Sequence, residues 1–243
     1  MLKVSKYILG DLLKNRVLVG YTLLLACIGW GIFLLESQPE KALLILMQVT
    51  LFALPLIAMV FSTVYYYNSL EFIMLILGQP VSRAKVIGGF YFGLCAALVL
   101  SFLVGVCVPL LVYYPSLESV TLMVGGALLT VTFTALALLV GTSISDKAKG
   151  MGVTLLTWVI FAIMYDGILL FLMYQFGDYP IERGVLALSF LNPIDIARIL
   201  IIMKTESAAM LGLSGAVFRD FFGSALGMLI SSVALILWSV LPF

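Results

Sequence analysis

Residues 86–112 read VIGGFYFGLCAALVLSFLVGVCVPLLV, with no charged side chain among them. About 20 apolar residues cover the ~30 Å hydrocarbon core of a bilayer at ~1.5 Å of helix rise per residue, so this stretch predicts a membrane-crossing helix. Working outward, five more stretches pass the same measure, at about 17–35, 42–67, 120–142, 151–175 and 221–241. Hydrophobic residues make up 63% of the 243 and charged residues 10%, with a mean hydropathy of +1.22. A water-soluble domain of that balance would have no polar surface to show. The expected fold is an all-α membrane protein of six transmembrane helices. It forms one transmembrane domain over 1–243, without a linker.

Several functions are excluded by composition. Histidine is absent, which removes the commonest metal ligand and the usual base near neutral pH. Cys27, Cys95 and Cys107 all fall inside predicted spans, which argues for packing rather than a disulfide framework or a zinc site. A net charge of +1 without a basic tract gives nucleic acid nothing to hold. Lys3, Lys6, Lys14 and Arg16 precede the first span and no small-residue cleavage pattern follows it, so it reads as an anchor and not a removable signal.

Basic residues also orient the chain. With the N-terminus inside, the inner segments hold Lys3, Lys6, Lys14, Arg16, Arg83, Lys85, Lys147 and Lys149. The outer ones hold Lys41, Arg183, Arg198, Lys204 and Arg219, four of them in one long segment. Counted over short loops, the bias is strongly inward. Both termini are expected in the cytoplasm.

The connections carry more information than the spans. Residues 1–16 alternate charged residues with Val4, Tyr7, Ile8, Leu12 and Leu13 at helical spacing, as an amphipathic helix on the inner face would. After span 2, the apolar run Phe72–Leu77 is too short to cross and too apolar to lie bare in water. Glu71 precedes it, and Gly78, Gln79 and Pro80 end it. A short helix there, with Ser82, Arg83 and Lys85 exposed, suits a groove on a cytoplasmic partner. The 113–119 and 143–150 connections read as plain turns.

Residues 176–220, placed outside, are far more than a turn needs. Within them LNPIDIARIL has its own helix start: Asn192 as N-cap, Pro193 at the first helical position, and Asp195 facing the free N–H groups. Asp195 and Arg198, spaced i,i+3, can pair. The isoleucines around them exceed what one exposed helix tolerates. The segment is therefore expected to fold onto the outer face of the membrane or against a partner, as a docking or gating element.

Asp166 is the one acidic residue well inside a span, in VIFAIMYDGILLFLMY. A carboxylate there costs at least ~2.5–3.5 kcal/mol, so it should face a bundle interior or polar cavity, with Tyr165 beside it as part of a transport path or gate. Packing alone explains it nearly as well. No HExxH, GxSxG, Cys/His pair or Walker A motif is present, and the methionines follow no MxxM pattern. Nothing points to an enzyme.

With an amphipathic first helix, six spans, a short helix after span 2 and a long outer segment before span 6, the chain resembles ABC transporter permeases of the type-two exporter family. Glu71-Phe72-Ile73-Met74-Leu75-Ile76-Leu77-Gly78-Gln79-Pro80-Val81-Ser82-Arg83 carries the likeness. It follows the E…LL…P-V-S-R pattern of the loop by which such permeases touch their ATPase, with Phe72-Ile73-Met74 where the family often has Arg-Gly-Thr. Gln79 to Arg83, Tyr165-Asp166, Asn192 to Leu200, and Gly215-Ala216-Val217-Phe218 are similar to the NosY-like branch of that family. Its members work with a cytoplasmic ATPase and a periplasmic β-helical protein in maturing the copper centre of nitrous oxide reductase. The resemblance implies Glu71, Gln79, Pro80, Ser82 and Arg83 as ATPase-coupling residues. It further implies a homodimer in a bacterial or archaeal inner membrane, over an ATPase dimer that holds ATP and Mg, and a NosD-like periplasmic partner. This chain would bind no cofactor of its own. Two rival functions stay open: a secondary transporter using Asp166 for ion coupling, and a membrane mechanotransmitter or scaffold that moves no solute.

Overall fold

A computed structural model describes residues 2–176, 182–202 and 225–242, and the described residues are helical with no strand among them. In chain order the helices are α1 (Leu2–Leu13), α2 (Arg16–Leu35), α3 (Pro39–Asn68), α4 (Leu70–Leu77) and α5 (Arg83–Tyr113). They continue with α6 (Leu117–Ser143), α7 (Lys147–Gln175), α8 (Glu182–Ser189), α9 (Pro193–Ile202) and α10 (Ala225–Val240). Five of them, α2, α3, α5, α6 and α7, are long and apolar enough to cross a membrane, which makes this a multi-pass membrane protein. The sixth expected span, 221–241, corresponds to α10, whose 16 residues fall short of that length. Residues 221–224 lie outside the described residues, as does the Gly215–Phe218 motif.

α6 is the hub. It packs against α3, α5, α9 and α10, and its Leu122, Leu129 and Phe133 are wholly buried. Its hydroxyls are satisfied within the helix: Thr130 and Thr134 each donate to the carbonyl four residues back, at 2.8 Å. α7 is the opposite case. Only 11% of its most apolar stretch is buried, against 50–61% for α3, α5 and α6, so most of its surface must meet lipid or another chain.

Two crossing helices are interrupted by a wide turn with i to i+5 bonding. In α5 it covers Leu103–Cys107, where Val108 N–H reaches Leu103 O. Pro109 follows directly and cannot donate to the carbonyl four residues back, so the ladder has to loosen there. In α7 the wide turn is Ile160–Met164, with Tyr165 N–H on Ile160 O, and no proline accounts for it.

At the end carrying α4, the amphipathic α1 inserts Ile8 and Leu12, both fully buried, against α5. Gly93 makes this possible, since an added Cβ there would come 2.8 Å from the Ile8 side chain. α1 therefore packs against the bundle instead of only resting beneath it.

The largest departure from expectation concerns α8 and α9. The turn joining them, at 190–192, does not lie at the far end of the bundle but about halfway down it. There Trp238 Nε1 donates to Phe190 O at 3.2 Å and Asn192 Nδ2 donates to Phe161 O at 3.0 Å. Phe161 itself meets Phe133 edge-on, near the middle of α6. From that turn α9 climbs back, until Leu200 and Ile201 lie against Gly125. The pair is a re-entrant hairpin. The isoleucines that seemed too many for a surface helix are its inward face: Ile194, Ile196 and Ile201 are at most 2% exposed. Residues 177–181 and 203–220 of the long segment lie outside the described residues.

Candidate functional site

The re-entrant turn brings together two groups of residues that stand 32 positions apart in the chain. Arg198 on α9 forks onto Asp166 on α7, with Nη2 to Oδ2 at 2.8 Å and Nη1 to Oδ1 at 3.2 Å. The same Nη1 donates to Asp195 Oδ1 at 2.9 Å. Asn192 completes the set from a buried position: its Oδ1 caps Ile194 N–H at 3.0 Å and its Nδ2 reaches Asp195 Oδ2 at 3.1 Å. Tyr165 donates to Leu188 O, tying α7 to the descending α8. Planar guanidinium geometry matters here, because one cation has to serve two carboxylates in different directions.

Each charge is placed by an ordinary local device. Pro193 opens α9 and sets Asp195 and Arg198 one turn apart on the same face. The wide turn of α7 leaves Phe161 O to the Asn192 amide, which fixes the depth of the hairpin beside Asp166. Asp195 is 5% exposed at its side chain, whereas Asp166 and Arg198 are 31% and 30% exposed. The buried acid thus holds the cation in place, and the accessible acid forms the contact that can be broken.

That contact also borders two cavities. One of about 260 Å³ lies between α7 and the hairpin, with Leu169, Met173, Val185 and Ser189 among its lining. A second, of about 140 Å³, lies towards α3 and is lined by Gln48, Leu51, Phe52, Ala162 and Ile194. Asp166 and Arg198 line both.

Glu71, Gln79, Pro80, Ser82 and Arg83 lie at the opposite end, all exposed, on α4, the loop after it and the first residue of α5. They are not brought near Asp166. The docking or gating group Asn192, Pro193, Asp195 and Arg198 is brought onto Asp166 and Tyr165 instead of facing outward by itself. Gln48 was missed by sequence reasoning. The available signal was its place as the only amide or charged residue between 42 and 67.

No protein-family profile matches the chain. A "Probable ABC transporter permease protein NosY" from Stutzerimonas stutzeri is 26% identical over 247 aligned residues, spanning 93% of this chain and 84% of the relative. The chain is therefore similar, at a distance, to NosY-type ABC transporter permeases. A second protein of the same name, from Pseudomonas aeruginosa, is 25% identical over 227 residues, spanning 85% of this chain and 82% of that one. A likeness over most of both lengths supports a permease subunit of an ABC transporter.

Proposed function

We propose that this NosY-like permease carries the stroke of a separate ATPase, bound beneath α4, to the Asp166–Arg198 contact, which acts as the gate of the far half of the bundle. The observation that carries this is the uncovered α4. Its Met74 and Leu75 are 67% and 73% exposed, with exposed Arg83 and Lys85 close behind in the chain. Apolar side chains presented by a capped short helix, rimmed with cations, suit a groove on a soluble partner. Lys14, Arg16, Arg83, Lys85, Lys147 and Lys149 gather at this end, which favours the cytoplasm for it and for both termini. Two copies pair through surface left bare on α7, over two ATPases that hold the ATP and Mg. The chain itself contributes no catalytic group and no cofactor.

Closure of the ATPases displaces α4, and the bundle responds by parting Asp166 from Arg198. The NosY likeness supports work in copper-site maturation of nitrous oxide reductase, with a NosD-like protein at the far end. Secondary transport is the weaker alternative, since an ion-coupling Asp166 should be free to bind an ion, and here a guanidinium occupies both its oxygens.

Arg83→Glu tests the coupling half. Membrane insertion should be normal, while the amount of ATPase that co-purifies and its stimulation by the permease both fall. A variant that binds and stimulates the ATPase like the natural chain would refute the placement.

A further inference from the structure

Tyr65, Tyr66 and Tyr67 end α3 directly above α4. Successive helical residues point ~100° apart, so the three rings leave α3 in different directions. Tyr65 donates to Asp11 Oδ2 of α1 at 2.9 Å. Tyr66 lies on Gly141 of α6, where an added Cβ would come 2.7 Å from its ring. Tyr67 donates to Ile144 O at 2.7 Å, just past α6, and its ring covers Gly150 of α7, leaving no space for even a methyl group.

Neighbouring contacts make the same junction rigid. Lys147 Nζ donates to Asn68 Oδ1 at 2.8 Å, and Thr63 and Thr154 share a buried hydroxyl contact of 3.0 Å. The first two turns of α7 are thereby fixed to the last two of α3. α4 starts without a loop: Ser69 N–H bonds to Tyr65 O and Tyr66 O, at 3.0 and 3.1 Å, and Ser69 O accepts from Ile73 N. Above the fixed turns, α7 has its wide turn at Ile160–Met164, and Asp166 follows it. The order along α7 is clamp, loose turn, ion pair.

We propose that Tyr65, Tyr66 and Tyr67 are positioning residues that clamp the start of α4 to α1, to α6 and, through Tyr67, to the near end of α7, so that a displacement of α4 swings α7 about its wide turn and parts Asp166 from Arg198. This rests on the permease function proposed above and adds the route by which the stroke travels. A wide turn inside a helix has one hydrogen bond fewer to hold it straight, and it often sits at such hinges. Glycines at 141 and 150 let the rings sit close enough to transmit a push. Gly152, on the same helix, has nothing within 4 Å of a Cβ added there and serves as an internal control.

The test uses the intact permease–ATPase complex with Cys27→Ser and a reporter, Met173→Cys, in the larger cavity. Cys95 and Cys107 are buried and stay silent. The rate of reaction with a water-soluble maleimide is measured with and without ATP and vanadate. The nucleotide-dependent change should shrink about three- to tenfold in Tyr67→Phe, as for loss of one neutral hydrogen bond, and further in Gly150→Ala. Gly152→Ala should respond like the parent. Tyr67→Phe removes one hydroxyl and keeps the ring, so it separates lost transmission from lost folding. Parent-like responses in both clamp variants, or equal losses in Gly150→Ala and Gly152→Ala, overturn the clamp alone. A parent reporter that ignores nucleotide overturns the permease function, and the clamp with it.

Discussion

Asp166→Asn is the most direct probe of the gate, because it changes charge with almost no change of shape. In the natural chain Arg198 makes two charge-assisted bonds to Asp166, at 2.8 and 3.2 Å. The asparagine can accept one of them through its amide oxygen and turns an NH2 group towards the other guanidinium nitrogen. One bond is therefore lost, and the other keeps its cationic donor but loses its anionic acceptor. Fully buried, those changes sum to about 3 kcal/mol. Both partners are about one-third exposed, so screening brings the figure down to about 1–2 kcal/mol. A change of that size alters the ratio of closed to parted states roughly 5- to 30-fold. The assay is modification of Met173→Cys in the Cys27→Ser background without nucleotide, where Asp166→Asn should raise the rate by about that factor. Protein recovery should stay normal, since Asp195 still holds Arg198 at 2.9 Å. An unchanged rate would mean that the Asp166–Arg198 contact does not limit access to the larger cavity in the membrane.

Two further substitutions dissect the same site. Arg198→Lys keeps the charge but not the fork, so one ammonium must choose between Asp166 and Asp195; reporter modification should fall between the parent and Asp166→Asn, and a parent-like rate would show that geometry is immaterial. Asn192→Ala removes the α9 cap and strands Phe161 O and Ile194 N–H in a buried place, which should destabilise by about 2–4 kcal/mol. Thermal unfolding in detergent reads this out, and an unaltered melting temperature would remove Asn192 from the account.

The five crossing helices are legible because apolar stretches of their length, with at most one charge well inside, have no other stable setting than a bilayer. α4 was equally readable, from an apolar run ending in Gly78 and Pro80. The hairpin was not. A capped start with Asp195 and Arg198 at i,i+3 looks like a surface helix, and nothing local states that Arg198 will find a carboxylate 32 residues upstream. Its isoleucines did signal burial, but burial against what depends on the depth set by Trp238 and Phe161. The three tyrosines stood only as the last residues of the 42–67 stretch. Their meaning lies in Gly141 and Gly150, which only the packing of α3 against α6 and α7 brings beneath them.

The depth of the hairpin also imposes an order of manufacture. Residues 182–202 cannot be laterally released into lipid as a finished span, since they enter and leave by the same side and carry two carboxylates and two guanidiniums. They have to be drawn in between helices already present. One of the contacts that fixes their turn, Trp238 Nε1 to Phe190 O, comes from α10, which is made after the hairpin. Asp166 therefore stands inserted and without its settled cation until α10 has followed. Chains that stop before α10 would leave that acid unpaired, whereas in chains that include it Arg198 holds the carboxylate.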